Sequence, residues 1–143
     1  MKNNKKFYDV REIKDIRDLI TQSANLYPER PAFEVKDSKG THYEIKYKQY
    51  LEEIQALGTA LTDMGLAGEK IAVAGDNCYE WCLSYMATVT GVGVIVPIDK
   101  ELLFDDINMI LNVSDVKLFF CDKKSQENST REKTSSRRIL QSL

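Results

Sequence analysis

Histidine occurs once, as His42, so any serine–histidine or cysteine–histidine nucleophile would have to be built on that one residue. His42 sits in an alternating stretch beside a turn, where a solvated strand side chain is the plainer reading. Cysteine occurs three times, as Cys78, Cys82 and Cys121. An odd and sparse count excludes the disulfide framework of a small secreted domain. Cys78 and Cys82 are four apart and share a helix face. A zinc site would need two further ligands, and only Cys121 and His42 remain, both distant in sequence. The three thiols therefore read as small buried apolar groups, and no metal site is expected. Long apolar runs are missing too. No stretch can span a bilayer, and the basic start "MKNNKK" leads into "FYDVREIKDIRD" instead of an apolar signal segment. The expected compartment is the reducing cytoplasm. Charge of one sign is also lacking: 20 Lys and Arg stand against 22 Asp and Glu, a net charge of -2. That balance gives no electrostatic footprint for a nucleic-acid partner. Finally, no glycine-rich phosphate loop with a lysine is present. The "GVG" at 91–93 precedes an apolar stretch, whereas a dinucleotide fingerprint follows a strand and opens a helix.

What remains is an ordinary globular composition, 43% hydrophobic and 29% charged over 143 residues. A chain of this size forms one domain and hides about two thirds of its unfolded surface. Ile13, Ile16, Leu19, Ile20 and Leu26 recur at helical spacing. Pro28 and Pro31 end that helix, because proline lacks a donor and restricts the residue before it. "AFEVKD" and "THYEIKY" alternate around "SKG", which predicts a hairpin turning near Gly40. Leu51, Ile54, Leu57, Leu61 and Met64 form one apolar helical stripe, stopped by Gly65. "KIAVAG" is a short apolar strand. Asn77 is placed to cap the next helix, with Glu80 three residues on to complete a capping box. That helix is expected to run to about Thr90 and end at Gly91. "VIVP" is a further strand. Phe104, Ile107, Ile110 and Leu111 mark another helix, with Asp105 and Asp106 in its first turn complementing the dipole. "VKLFFC" is a third buried strand. Strands buried on both faces and alternating with helices predict a mostly parallel sheet in an α/β fold.

Composition changes at Lys123. The last 21 residues carry a local charge of +4, and only Ile139, Leu140 and Leu143 are apolar. Residues 123–143 therefore read as a basic, disordered tail on a domain spanning 1–122.

Several blocks, in order, resemble one family. "YKQYLEEIQALGTALTDMGL" is similar to the helix that follows the first hairpin of AMP-forming acyl-CoA synthetases. "GEKIAVAGDNCYEW" resembles their next strand and helix start, with Asn77, Glu80 and Trp81 at the recurring positions. "VTGVGVIVPID" is similar to their glycine, short strand and Pro-Ile-Asp signature, ending at Pro97 and Asp99. "LITQSANLYPERPAFEV" fits before these blocks and "NMILNVSDVKLFFC" after them. The likeness covers about residues 9–122, and "NCYEW" and "PIDKEL" lean toward the long-chain fatty acid members. It implies an α/β partial domain: the N-terminal subdomain of an adenylate-forming enzyme, with an N-terminal helix and hairpin.

The resemblance implies an activity for the complete enzymes. They activate a fatty acid with ATP and Mg2+ and pass the acyl group to coenzyme A. Their phosphate loop, adenine contacts and catalytic lysine lie downstream of the matched region. No residue here is assigned a catalytic, cofactor-binding or metal role, and no ligase activity is expected of this portion alone. Asn77, Glu80, Trp81, Pro97 and Asp99 are expected to cap, pack and shape turns. Lys46 stands where the family often has a Ser or Thr cap, whose loss costs about 1 kcal/mol. The expected partner is the remainder of the synthetase, so the alternatives are a non-catalytic assembly subunit that pairs with a separately encoded remainder, or a truncated remnant. The abrupt change at Lys123 suggests truncation or a shifted reading frame.

Overall fold

A computed structural model describes residues 10–37, 39–122 and 138–141. The chain opens with α1 (Ile16–Leu26), whose N-cap Asp15 accepts a hydrogen bond from the Asp18 backbone N–H at 2.7 Å. This starts the helix three residues after Ile13, which stays outside it and exposed. Strands β1 (Pro31–Lys36) and β2 (His42–Lys46) form the expected antiparallel hairpin. Asp37 shapes its turn by accepting from the Lys39 and Thr41 N–H groups at 2.8 Å, and Gly40 takes the positive φ of 85°.

Helix α2 (Tyr47–Asp63) follows β2 without a loop. Its N-cap, Lys46, makes no capping side-chain bond. The helix start is satisfied another way: the Tyr47 N–H donates to the Arg30 carbonyl at 3.0 Å and the Lys48 N–H to the Pro28 carbonyl at 3.2 Å. The "YPERP" segment thus supplies from the backbone what a Ser or Thr would supply from a side chain. At the other end Gly65 (φ 80°) donates to Thr62, and Leu66 donates to Leu61, the paired bonds of a Schellman stop.

The main sheet holds β3 (Lys70–Ala74), β4 (Val94–Pro97), β5 (Leu118–Cys121) and β6 (Arg138–Gln141), all parallel, in the order β4-β3-β5-β6. Strand β6 corrects the expectation of an unstructured tail for those four residues; the rest of 123–143 lies outside the described residues. The chain leaves β3 toward β4 through α3 (Tyr79–Ala87) and returns past β3 to β5 through α4 (Phe104–Val113). Right-handed crossovers in opposite directions place α3 and α4 on opposite faces.

The side chains agree. Ile71, Val73, Leu118 and Phe120 pack against Leu61 of α2 and Ala87 of α3. Their neighbours Ala72, Ala74, Phe119 and Cys121 pack against Ile107 and Leu111 of α4. A third cluster joins α1, the hairpin, α2 and α3 through Ile20, Ile45, Tyr50, Ile54 and Tyr79.

Two predicted helix boundaries move. The cap of α3 is Cys78, not Asn77, and no side-chain cap bond forms. Glu80 then sits one position too early for a capping box. The phase is set by Tyr79, whose hydroxyl donates to Glu53 at 2.6 Å and whose ring lies 5.2 Å from that of Phe33. The α-helix also ends at Ala87 and passes into a π-turn (Thr88–Val92), closed by the Gly93 N–H donating to the Thr88 carbonyl at 3.1 Å. Gly91 leaves helical geometry there, at φ 145°. Gly93 is extended, but a Cβ on it would collide with the Glu69 carbonyl oxygen, so the entry to β4 admits no side chain.

Candidate functional site

In an open parallel sheet, ligands favour the crevice beyond the carboxyl ends of the strands, at the point where the connections reverse direction. Here that point lies between β3 and β5. A cavity of about 80 Å³ occupies it, lined by Gly75, Asp76, Cys78, Trp81, Cys121 and Asp122 among others. Residues from three strand ends meet at this edge. Asp76 follows β3, Asp122 follows β5, and Lys100 follows β4. The Lys100 ammonium donates to Asp76 and has Glu101 3.7 Å away. The hydrogen bond donated to Asp76, then the Asp76 charge, holds the Lys100 pKa above the ordinary lysine value, with smaller help from Glu101 and Asp122. Asp99 shapes the loop beneath by accepting from the Glu101 N–H at 2.9 Å.

The residues singled out from sequence divide sharply. Cys78 at the cap of α3 and Glu80 and Trp81 in its first turn line this crevice, Asn77 lies in the β3–α3 turn beside them, and Cys121 reaches it from β5. Trp81 stacks on Tyr85 with ring centroids 5.4 Å apart. His42 is exposed at the start of β2, in the other sheet. Asp105 and Asp106 lie in the first turn of α4, as expected. The glycines at 91–93 turn the chain from α3 into β4. Sequence reasoning missed Asp76, Lys100 and Asp122, because only the strand order brings them together.

The chemistry of this crevice is restrained. All three thiols are free, and burial is the first cause that pushes each above the ordinary range; Cys121 rises to about 11, with Asp122 adding to the effect. A thiol held protonated at neutral pH is a poor nucleophile and a poor metal ligand. Among the described residues no group of three or more His, Cys, Asp or Glu side chains is placed to hold a metal ion. A cavity of about 80 Å³ is also well below the roughly 300–1,000 Å³ of small-molecule sites. This crevice alone is too small to enclose a nucleotide. What the site does is tie the ends of β3 and β4 together through Asp76 and Lys100, with the Asp122 charge at the end of β5 nearby. No helix among the described residues is long and apolar enough to cross a membrane.

Comparison with known proteins places this geometry. Fatty acyl-CoA synthetase A of Dictyostelium discoideum is 31% identical over 90 residues, covering 62% of this chain and 14% of that protein. Long chain acyl-CoA synthetase 4 of Arabidopsis thaliana is 28% identical over 112 residues, covering 75% of this chain and 17% of that protein. The chain thus spans under one fifth of the length of these relatives. The crystal structure of the N-terminal domain of FACL13 from Mycobacterium tuberculosis superposes with a TM-score of 0.77 at 21% identity, over 91% of this chain and 34% of that one. The fold is therefore that of the N-terminal subdomain of adenylate-forming enzymes. The family match also runs further than the resemblance ending near 122, since it includes β6. Because the AMP-binding enzyme model matches residues 20–142, nearly the whole chain, the protein belongs to the AMP-binding enzyme family.

Proposed function

We propose that the chain serves as the N-terminal portion of an ATP-dependent, AMP-forming fatty acid–CoA ligase. The observation that carries this reading is the continuous family match over residues 20–142 on an N-terminal-subdomain fold. The fatty acid substrate class rests on the two acyl-CoA synthetases among its relatives. In this reading ATP, Mg2+ and coenzyme A are held by polypeptide beyond the matched segment, and the described strands, helices and hairpin are scaffold. The Asp76–Lys100 pair has a positioning role, fixing the carboxyl ends of β3 and β4 on which the rest of the site is assembled. The portion alone turns over nothing, because transfer chemistry at phosphate needs preorganised donors and metal around the phosphates. Its free thiols suit a cytoplasmic setting.

The test is a coupled assay for AMP release and thioester formation, with fatty acid, ATP, Mg2+ and coenzyme A. No turnover is expected from the 143-residue chain alone. Acyl-CoA formed by that chain would overturn the reading.

A second reading is favoured by one feature of the sheet. Strand β4 pairs only with β3 among the described residues, and its "VIV" carries no charge to guard the edge, with Val94 55% exposed. Such an edge suits a non-catalytic subunit that pairs with a separately supplied remainder of the synthetase. Co-purification with that remainder supports it; a stable, monodisperse monomer that ignores it counts against it.

A further inference from the structure

A second concavity among the described residues lies away from the strand ends, between α1, α2 and the π-turn, with a volume of about 390 Å³. This falls inside the range of about 300–1,000 Å³ typical of small-molecule sites. Its floor is apolar: Ile20, Leu51, Ile54, Ala87 and Val92. Two glycines widen it. Gly58 leaves only ordinary van der Waals space toward Val92, and Gly91 carries the non-helical φ of 145°. A π-turn with a glycine outside helical geometry is the kind of local departure that recurs at functional sites.

Arg17 gives this groove a chemical preference. Its Nε donates to the Thr90 carbonyl, and its guanidinium lies so close over Gly91 that a Cβ there would overlap it. The guanidinium is thus anchored on one side, and among the described residues it forms no ion pair. Three of the four threonine hydroxyls along the rim spend their protons on their own helices: Thr59 on the Gln55 carbonyl at 2.8 Å, Thr62 on Gly58 at 2.9 Å and Thr90 on Met86 at 2.7 Å; Thr21 and the Gln55 amide are neutral donors. The strong donor left for a ligand is the Nη pair of Arg17, whose fork matches a carboxylate. Asp63 is the one acidic residue lining the groove, and it opposes a second anionic end.

We infer that this groove binds a small amphiphilic monocarboxylate, its apolar body on Leu51, Ile54 and Val92 and its carboxylate on Arg17. The inference does not rest on the ligase reading. The test titrates the purified chain with decanoate, decanol and decyltrimethylammonium, following the backbone amide NMR signals of Gly58, Thr59 and Gly91 and the Arg17 Nε–H. Decanoate should shift them to saturation. Decanol should bind on the order of tenfold more weakly, the worth of a charged hydrogen bond, and the cation not at all. Arg17→Gln should bring decanoate down to the level of decanol. Thr59→Trp fills the groove from an exposed position and should abolish both, with the melting temperature unchanged; it decides the matter if Arg17→Gln does not fold. Equal binding of decanoate and decanol by the unaltered chain, shifts that survive Thr59→Trp, or no shifts at all would each overturn the inference.

Discussion

The two faces of the parallel sheet are covered to different depths. On one, Ile71, Val73, Leu118 and Phe120 meet α2 and α3, and beyond α2 lie α1 and the hairpin. On the other, among the described residues, the alanines of β3 and Phe119 and Cys121 of β5 meet one helix, α4, together with Ile98 and Leu102 of the segment before it, and Met109 and Val113 of α4 are exposed. A core residue on the deep side is held by layers that cannot follow it inward. One on the shallow side is held by a single helix free to settle. The cost of a cavity depends on how far the surroundings collapse, so depth and not burial alone should set the energetics.

Leu61 and Leu111 make the comparison measurable, because both are leucines with almost no exposure, one on each face. Leucine-to-alanine changes in cores cost about 2–5 kcal/mol. Leu61→Ala should fall near the top of that range and Leu111→Ala near the bottom, read from urea unfolding with unchanged slope. Equal losses would mean that the single helix is as rigid as the layered side, and the contrast would collapse.

The shallow face should also respond to alkali. Burial raises Cys121 from an ordinary 9.0 to about 11. The folded state then keeps its proton while the unfolded state gives it up. Stability from this group is complete below pH 9 and is lost as pH rises toward 11, by an amount on the order of 2 kcal/mol. Tyr50 and Tyr79, on the deep side, are raised by burial first, Tyr79 also by Glu53, so their contribution starts to fall only above pH 10. Cys78 and Cys82 are raised by burial from the same 9.0, so Cys121→Ala should shrink the loss between pH 9 and 11 without moving its onset. An unchanged profile in the variant would place the early titration elsewhere.

How far these differences could be read from sequence follows from range. Gly65 marked the end of α2 because a left-handed stop is written in one residue and its neighbours. The apolar runs of β3, β4 and β5 announced strands buried on both faces. The cap of α3 was misplaced by one residue because Tyr79 fixes the helix phase through Phe33, Tyr50 and Glu53, all distant in sequence. Strand β6 was hidden because two apolar residues among charges carry no period. The meeting of Asp76, Lys100 and Asp122 was invisible for the same reason the face depths were: both depend on strand order, and no local pattern records which strand lies beside which.

The outermost layer of the deep side should show the smallest effects, and two helix starts separate the cases. Asp15 caps α1 with its side chain, so Asp15→Ala should cost about 1 kcal/mol. Lys46 begins α2 with no such bond, and by sequence alone Lys46→Ser should restore a similar amount. The Arg30 and Pro28 carbonyls already take the first two N–H groups of that helix. A serine there would compete for the Lys48 N–H, which is already satisfied, and it would also remove the Lys46–Glu29 pair at 2.6 Å, which is solvent-exposed and worth little. Lys46→Ser should therefore change stability by less than about 0.5 kcal/mol. A gain near 1 kcal/mol, measured beside Asp15→Ala under the same conditions, would show that a backbone cap across the "YPERP" bend is weaker than a side-chain cap. It would also show that the deep side is less tightly layered than its hydrogen bonds imply.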